Sequence, residues 1–99
     1  IETLLARLAS KPEAVAVGLR EVLAAVEMGA VERLLISEDF LWERLVEPDV
    51  IQLIQKAEAH RTNLQVIASN SESSDKLNSL GGVAALLRYS VDLSFLKIR

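Results

Sequence analysis

A nucleophile needs a base beside it and a bound metal needs several converging donors, and this 99-residue sequence assembles neither set. There is no cysteine, so thiolate catalysis, thiolate ligation and disulfides are excluded. The one histidine, His60, has no carboxylates at metal-ligand spacing around it and falls at the end of a helical stretch, where a cationic side chain can satisfy the last carbonyls. Ser69, Ser71, Ser73 and Ser74 have no base at hand other than that histidine and read as turn and cap residues. Glu38-Asp39 and the pair Glu47 and Asp49 stand at expected helix starts, where the helix dipole favours negative charge, so they read as caps instead of as an acid and base. Gly81-Gly82 does not match a phosphate loop, because no Lys-Ser or Lys-Thr follows and the pair precedes a strand, so it reads as a tight turn. Trp42 is isolated and reads as an amphipathic side chain at the rim of the core. The expectation is a domain without catalytic, metal or cofactor sites, free of hydrolase or nuclease activity.

The elements that would position a binding surface are clearer. Two segments couple a helix to a strand through glycine: Gly18 to Ser37, and Leu80 to Tyr89. In the first, Leu19, Val22, Leu23 and Val26 repeat at i, i+3, i+4 and i+7, which predicts a helix over Leu19 to Met28 stopped by Gly29, followed by a buried strand from Glu32 to Ile36. Upstream, Ile1, Leu4, Leu5 and Leu8 make a helix stripe that Ser10-Lys11-Pro12 ends, and Val15-Ala16-Val17 reads as a short strand. Downstream, Ser37-Glu38-Asp39 caps a short helix carrying Phe40, Leu41, Trp42 and Leu45, and Pro48 opens another in which Val50, Leu53, Ile54 and Ala57 form the stripe. Leu64 to Ala68 is predicted as a third core strand, Ser69 to Ser74 as a surface loop, Asp75 to Leu80 as a short helix and Val83 to Tyr89 as the last strand. The ten residues after Tyr89 either extend that strand or hang as a tail, and the alternation of Val91, Leu93 and Phe95 fits an edge hairpin. Strands alternating with helices give an α/β three-layer sandwich, a four-stranded mixed sheet with helices on both sides.

Composition narrows the class of partner. The formal net charge is -3, from 11 Lys and Arg against 14 Asp and Glu, so the whole surface is not an electrostatic footprint for nucleic acid. No apolar run approaches the roughly 18 residues that span a bilayer, and no signal-peptide pattern opens the chain; the expectation is a soluble, cytoplasmic domain. Starting at Ile1 and already in helical rhythm, the chain reads as a piece of a longer polypeptide.

Gly18-Leu-x-Glu-Val, Ala25-Val-Glu-Met-Gly-Ala-Val-Glu-x-Leu-Leu-Ile-Ser37 and Leu80-Gly-Gly-Val-Ala-Ala-Leu-Leu-Arg-Tyr89 together resemble the C-terminal domain of the Pelota and class 1 release-factor family of archaea and eukaryotes, from about Val15 to Tyr89. Release factors of that family usually insert a minidomain before the Gly-Gly strand, whereas only Ser69 to Leu80 bridges the gap here, which favours the Pelota branch. Family members often carry Glu-His-x-x-Gly where this chain has Asn70-Ser71-Glu72-Ser73-Ser74, a departure from the pattern. The resemblance implies the fold of kink-turn-binding ribosomal proteins and the third, C-terminal domain of a ribosome-rescue factor. It also implies docking to a translational GTPase of the elongation factor 1 alpha type and to the recycling ATP-binding cassette ATPase on stalled ribosomes. The alternatives are the corresponding domain of an archaeal release factor, a kink-turn RNA binder, or an undocked scaffold; for RNA, Arg20 and Lys76 lie near helices but Glu21, Glu72 and Asp75 offset them.

If the apolar stripe of the Leu19 helix faces the sheet, Arg20, Glu21, Ala24 and Glu27 point outward as a docking face. The Ala85 to Tyr89 segment corresponds to the family stretch linked to GTPase binding; with Leu87 buried, Leu86 and Arg88 share the opposite strand face, and Arg88, Leu86 and Tyr89 complete the expected site. The competing arrangement pairs Arg88 internally with an acid such as Glu32 and leaves Tyr89 at the core rim.

Overall fold

The computed structural model describes residues 2–90. In chain order these form α1 (Glu2–Ser10), a 3-10 turn (Pro12–Ala14), β1 (Val15–Val17), α2 (Leu19–Glu27), β2 (Val31–Ser37), α3 (Glu38–Arg44), α4 (Pro48–Ala59), β3 (Asn63–Ile67), α5 (Glu72–Ser79) and β4 (Val83–Leu87). The sheet order is β1-β4-β2-β3, with β4 antiparallel to both neighbours and β2 parallel to β3. All five residues of β4 are buried, as a central strand covered on both faces requires.

Alternation along the strands sorts the core into two layers. Leu34 and Ile36 of β2 join Ala85 and Leu87 of β4 beneath Val22 and Val26 of α2 and Val50 and Leu53 of α4. Leu35, Ala84 and Leu86 face the other way, under Leu4 of α1 and Leu77 of α5. Each fully buried Leu, Ile or Val contributes about 1.5–3 kcal/mol relative to exposure. The result is the three-layer α/β sandwich with a four-stranded mixed sheet that the periodicity predicts.

Local chemistry sets the joints. Gly29, at φ 70°, ends α2, and Ala30 N–H returns to the Ala25 carbonyl at 3.0 Å. Ser37 Oγ accepts from Phe40 N–H at 3.0 Å to cap α3, and the same hydroxyl donates to Asn78 Oδ1 of α5 at 2.6 Å. Ser71 Oγ caps α5 from Ser74 N–H at 3.0 Å.

Several expectations need correction. The segment at Leu64 is not a core strand: β3 is one of the sheet's two edges, with four of its five residues exposed. The polar tract is not all loop, because the Ser71 cap starts α5 at Glu72 and buries Ser74. Strand β4 ends at Leu87, two residues before Tyr89. Trp42 is 68 % exposed, far outside a core rim. At the end of α4 it is the His60 main-chain N–H, bonded to the Lys56 carbonyl at 3.0 Å, that closes the last turn. The hairpin considered for Val91, Leu93 and Phe95 lies outside the described residues.

Candidate docking surface

The two halves of the expected docking face lie at opposite ends of the sheet. At one end β1, β2 and β3 finish, β4 begins, and α2 and α3 start. Arg20 stands exposed there, one turn from Gly18, whose N–H donates to the Val83 carbonyl at 3.0 Å. At the other end Arg88 N–H donates to the Ala30 carbonyl at 2.7 Å, past the C-terminus of α2. The length of α2, about 13 Å, separates them.

The individual residues divide further. Glu21 Oε1 accepts from Val17 N–H at 3.2 Å and is half-buried, so it holds β1 to α2. Ala24 is half-buried against the core layer beneath α2. Glu27 faces α4, where its Oε1 lies 3.2 Å from Lys56 Nζ. Leu86 is 4 % exposed and packs under α1, so it offers nothing to a partner. The reason is that α1 covers the second face of the sheet, which makes both faces of β4 interior. Arg88 forms no ion pair with Glu32 among the described residues; its Nε donates to the Val31 carbonyl at 3.2 Å. Tyr89 is 54 % exposed.

Sequence reasoning missed what α3 displays. Val46 is 85 % exposed and Trp42 68 %, with Leu45 beside them at 38 %. Arg44 Nε lies 2.7 Å from Glu47 Oε2 and Nη2 lies 2.9 Å from Oε1, a fork-to-fork pair between the residues that flank Leu45 and Val46. That pairing holds the Glu47 carboxyl below its ordinary range and raises Arg44, whose guanidinium also sits 5.1 Å from the centre of the Phe40 ring. On the other side of α3, Glu38 Oε1 accepts from Ser69 N–H at 3.0 Å and from Ser69 Oγ at 2.9 Å. These bonds, the main-chain one first, lower the Glu38 pKa, with a smaller contribution from the Trp42 side chain. The apolar helix face stops at Leu41 and Pro48 opens the next helix, so the Leu45-Val46 corner had no core direction left; that was the available signal.

Among the described residues no group of three or more His, Asp and Glu side chains could hold a metal ion, and no helix is long and apolar enough to cross a membrane. A shallow cavity of about 370 Å³ between α3 and α5 is bounded by Asp39, Glu43, Arg44, Asn78 and the Gly81-Gly82 turn. Its Asn78 amide donates to Asp39 Oδ2 at 3.3 Å, and no nucleophile with an adjacent base opens onto it.

With that geometry in place, the comparisons are specific. The family description eRF1 domain 3 matches residues 1–91. The pelota homolog of Thermococcus kodakarensis is 41 % identical over 91 residues, covering 92 % of this chain and 25 % of that protein. Curated relatives of this kind are about four times as long as the stretch this chain spans, so the chain covers about a quarter of each. The crystal structure of Archaeoglobus fulgidus Pelota superposes with a TM-score of 0.82 at 38 % identity, over 92 % of this chain and 28 % of that one. A ribosome-bound archaeal Pelota in company with ABCE1 superposes with a TM-score of 0.78, also at 38 % identity, over 92 % of this chain and 25 % of that one.

Proposed function

Since the chain belongs to the eRF1 domain 3 family, we propose that it is the partner-docking domain of a ribosome-rescue factor. In this reading it forms the third, C-terminal domain of a longer cytoplasmic protein and engages a translational GTPase of the elongation factor 1 alpha type and an ATP-binding cassette recycling ATPase. The family membership supports the rescue-factor role, and the presence of ABCE1 with a ribosome-bound archaeal relative supports the ATPase. The observation that carries docking is the bare apolar pair on the α3 corner: Trp42 and Val46 lie outside a core that is already closed. Large amphipathic aromatics of this kind supply most of the energy at protein interfaces. Arg20, exposed at the start of α2, shares that end of the sheet.

The test is titration of the GTPase with the wild-type domain and with Trp42→Ala combined with Val46→Asp, beside melting temperatures. Affinity should fall about tenfold or more, roughly 1.4 kcal/mol or above, while the melting temperature stays within a few degrees. Arg20→Glu should weaken binding less, as a rim charge does. Unchanged binding in all of these variants, or a loss confined to Arg88→Ala and Tyr89→Ala at the opposite end, would remove the docking surface from α3.

A further inference from the structure

The opposite end of the sheet carries cations that docking through α3 leaves unused. Arg7 of α1, Lys11 just beyond it and Arg88 just past β4 line a shallow cleft of about 230 Å³, together with Glu32, Tyr89 and Ser90. Each guanidinium is fixed from behind by the end of a strand: Arg7 Nη1 donates to the Leu87 carbonyl at 3.1 Å, and Arg88 Nε to the Val31 carbonyl at 3.2 Å. The rest of each donor fork bonds no other protein group among the described residues.

Three other cations of this molecule are neutralised where they stand. Arg44 pairs with Glu47 at 2.7 Å, Lys56 with Glu27 at 3.2 Å and Lys76 with Glu72 at 3.2 Å. Arg7, Lys11 and Arg88 have no carboxylate partner among the described residues, although Glu32 lines the same cleft. Three cations against one carboxylate therefore make a local positive site on a chain of net charge -3. The cleft has no apolar pocket in which a peptide could seat an anchoring side chain: its aliphatic lining, Ala14 and Leu87, is 6 % and 2 % exposed. The one exposed aromatic side chain there is Tyr89, whose ring and hydroxyl suit stacking and a phosphate or sugar contact.

We propose that this cleft takes phosphate groups of an RNA backbone, holding the domain by charge and shape without reading bases. The choice of RNA among polyanions rests on the ribosome-rescue reading; the positive site itself does not. Three phosphate contacts imply a slope of log affinity against log salt near -2.7, so raising salt fourfold should weaken binding about 40-fold. The experiment is fluorescence anisotropy of a labelled RNA duplex with the 99-residue chain at about 50 and 200 mM salt. Lys11 is exposed and makes no side-chain bond, so Lys11→Gln should fold normally while lowering affinity uniformly across sequences and reducing the slope by about 1. Lys11→Gln with Arg88→Gln should reduce affinity about tenfold or more, whereas Lys76→Gln, which removes the same single charge as Lys11→Gln but elsewhere, should leave it within about twofold. Absence of binding at the lower salt, or an equal loss from Lys76→Gln, would overturn the site. Displacement of the RNA by poly-glutamate at equal charge would overturn the assignment to RNA and make the ligand an acidic peptide. The GTPase takes no part in this measurement, so its failure and a failure of the docking reading are separate results.

Discussion

At Gly82 one methyl group decides whether β4 can follow α5. Its φ is +86°, and a Cβ there would stand 2.6 Å from Phe40 Cδ2 and 2.7 Å from Phe40 Cβ. Phe40 has nowhere to go, because the Ser37 cap fixes its main chain and Arg44 lies over its ring. Gly82→Ala should therefore combine backbone strain with overpacking, a loss of about 3 kcal/mol or more. Gly18→Ala, at φ +89° but with nothing within 4 Å, should lose only the strain, about 1–2 kcal/mol. Equal falls in melting temperature would mean that the Phe40 contact is not what excludes a side chain. Glu38 gives a second prediction at this scale. Its ionised form is the one that accepts from Ser69, so its folded pKa is depressed below the ordinary 4.5. The stabilisation is complete above that ordinary value and disappears as pH falls through the depressed one. The melting temperature of Glu38→Gln should accordingly vary less with acid over roughly pH 5 to 3 than that of the wild type, and parallel curves would refute the coupling. Neither feature was legible in the sequence: Gly81-Gly82 announces a turn and Glu38 a helix start, but their partners Phe40 and Ser69 lie far along the chain.

Among the elements, β3 and β4 contrast most. Both read as short strands bounded by turn signals, and both are strands of five residues. Periodicity reports how a strand alternates but not which neighbours it has; the local hint was composition, since Val83 to Leu87 is apolar throughout whereas Asn63 and Gln65 interrupt β3. Here β3 pairs only with β2, while Leu64 and Val66 remain 41 % and 45 % exposed on its outer flank. Hydrogen exchange should consequently show the amides of β4 among the slowest in the chain and those of β3 the fastest of the four strands. Comparable protection in both would mean that β3 is covered in solution. The helices were more legible, since the stripes of α2 and α4 and the signals at Gly29, Ser37 and Pro48 each act within one or two turns. The exception is α5, whose Ser71 cap looked like loop because the first turn it starts is Glu72-Ser73-Ser74, with no apolar residue.

As a whole, the molecule presents two unlike ends: an apolar corner at Trp42 and Val46, and a basic cleft at Arg7, Lys11 and Arg88. The sequence revealed the α/β architecture and, through its spaced glycine motifs, the family, because both depend on short-range pattern. Its two candidate surface segments, around Arg20 and around Arg88, lie at opposite ends of the sheet, a separation that depends on where β4 inserts and that no local pattern reports. That insertion also has a consequence in time. Synthesis runs from the N-terminus, so β1, β2 and β3 are all made before β4, the strand that must pass between β1 and β2. Until residue 87 has left the exit tunnel, β1 has no strand beside it, and the apolar flanks of Leu34 and Ile36 wait for Ala85 and Leu87. The nascent domain thus carries its unfinished hydrophobic seam through the synthesis of everything between β1 and β4, and closure is a late, long-range event instead of a progressive one.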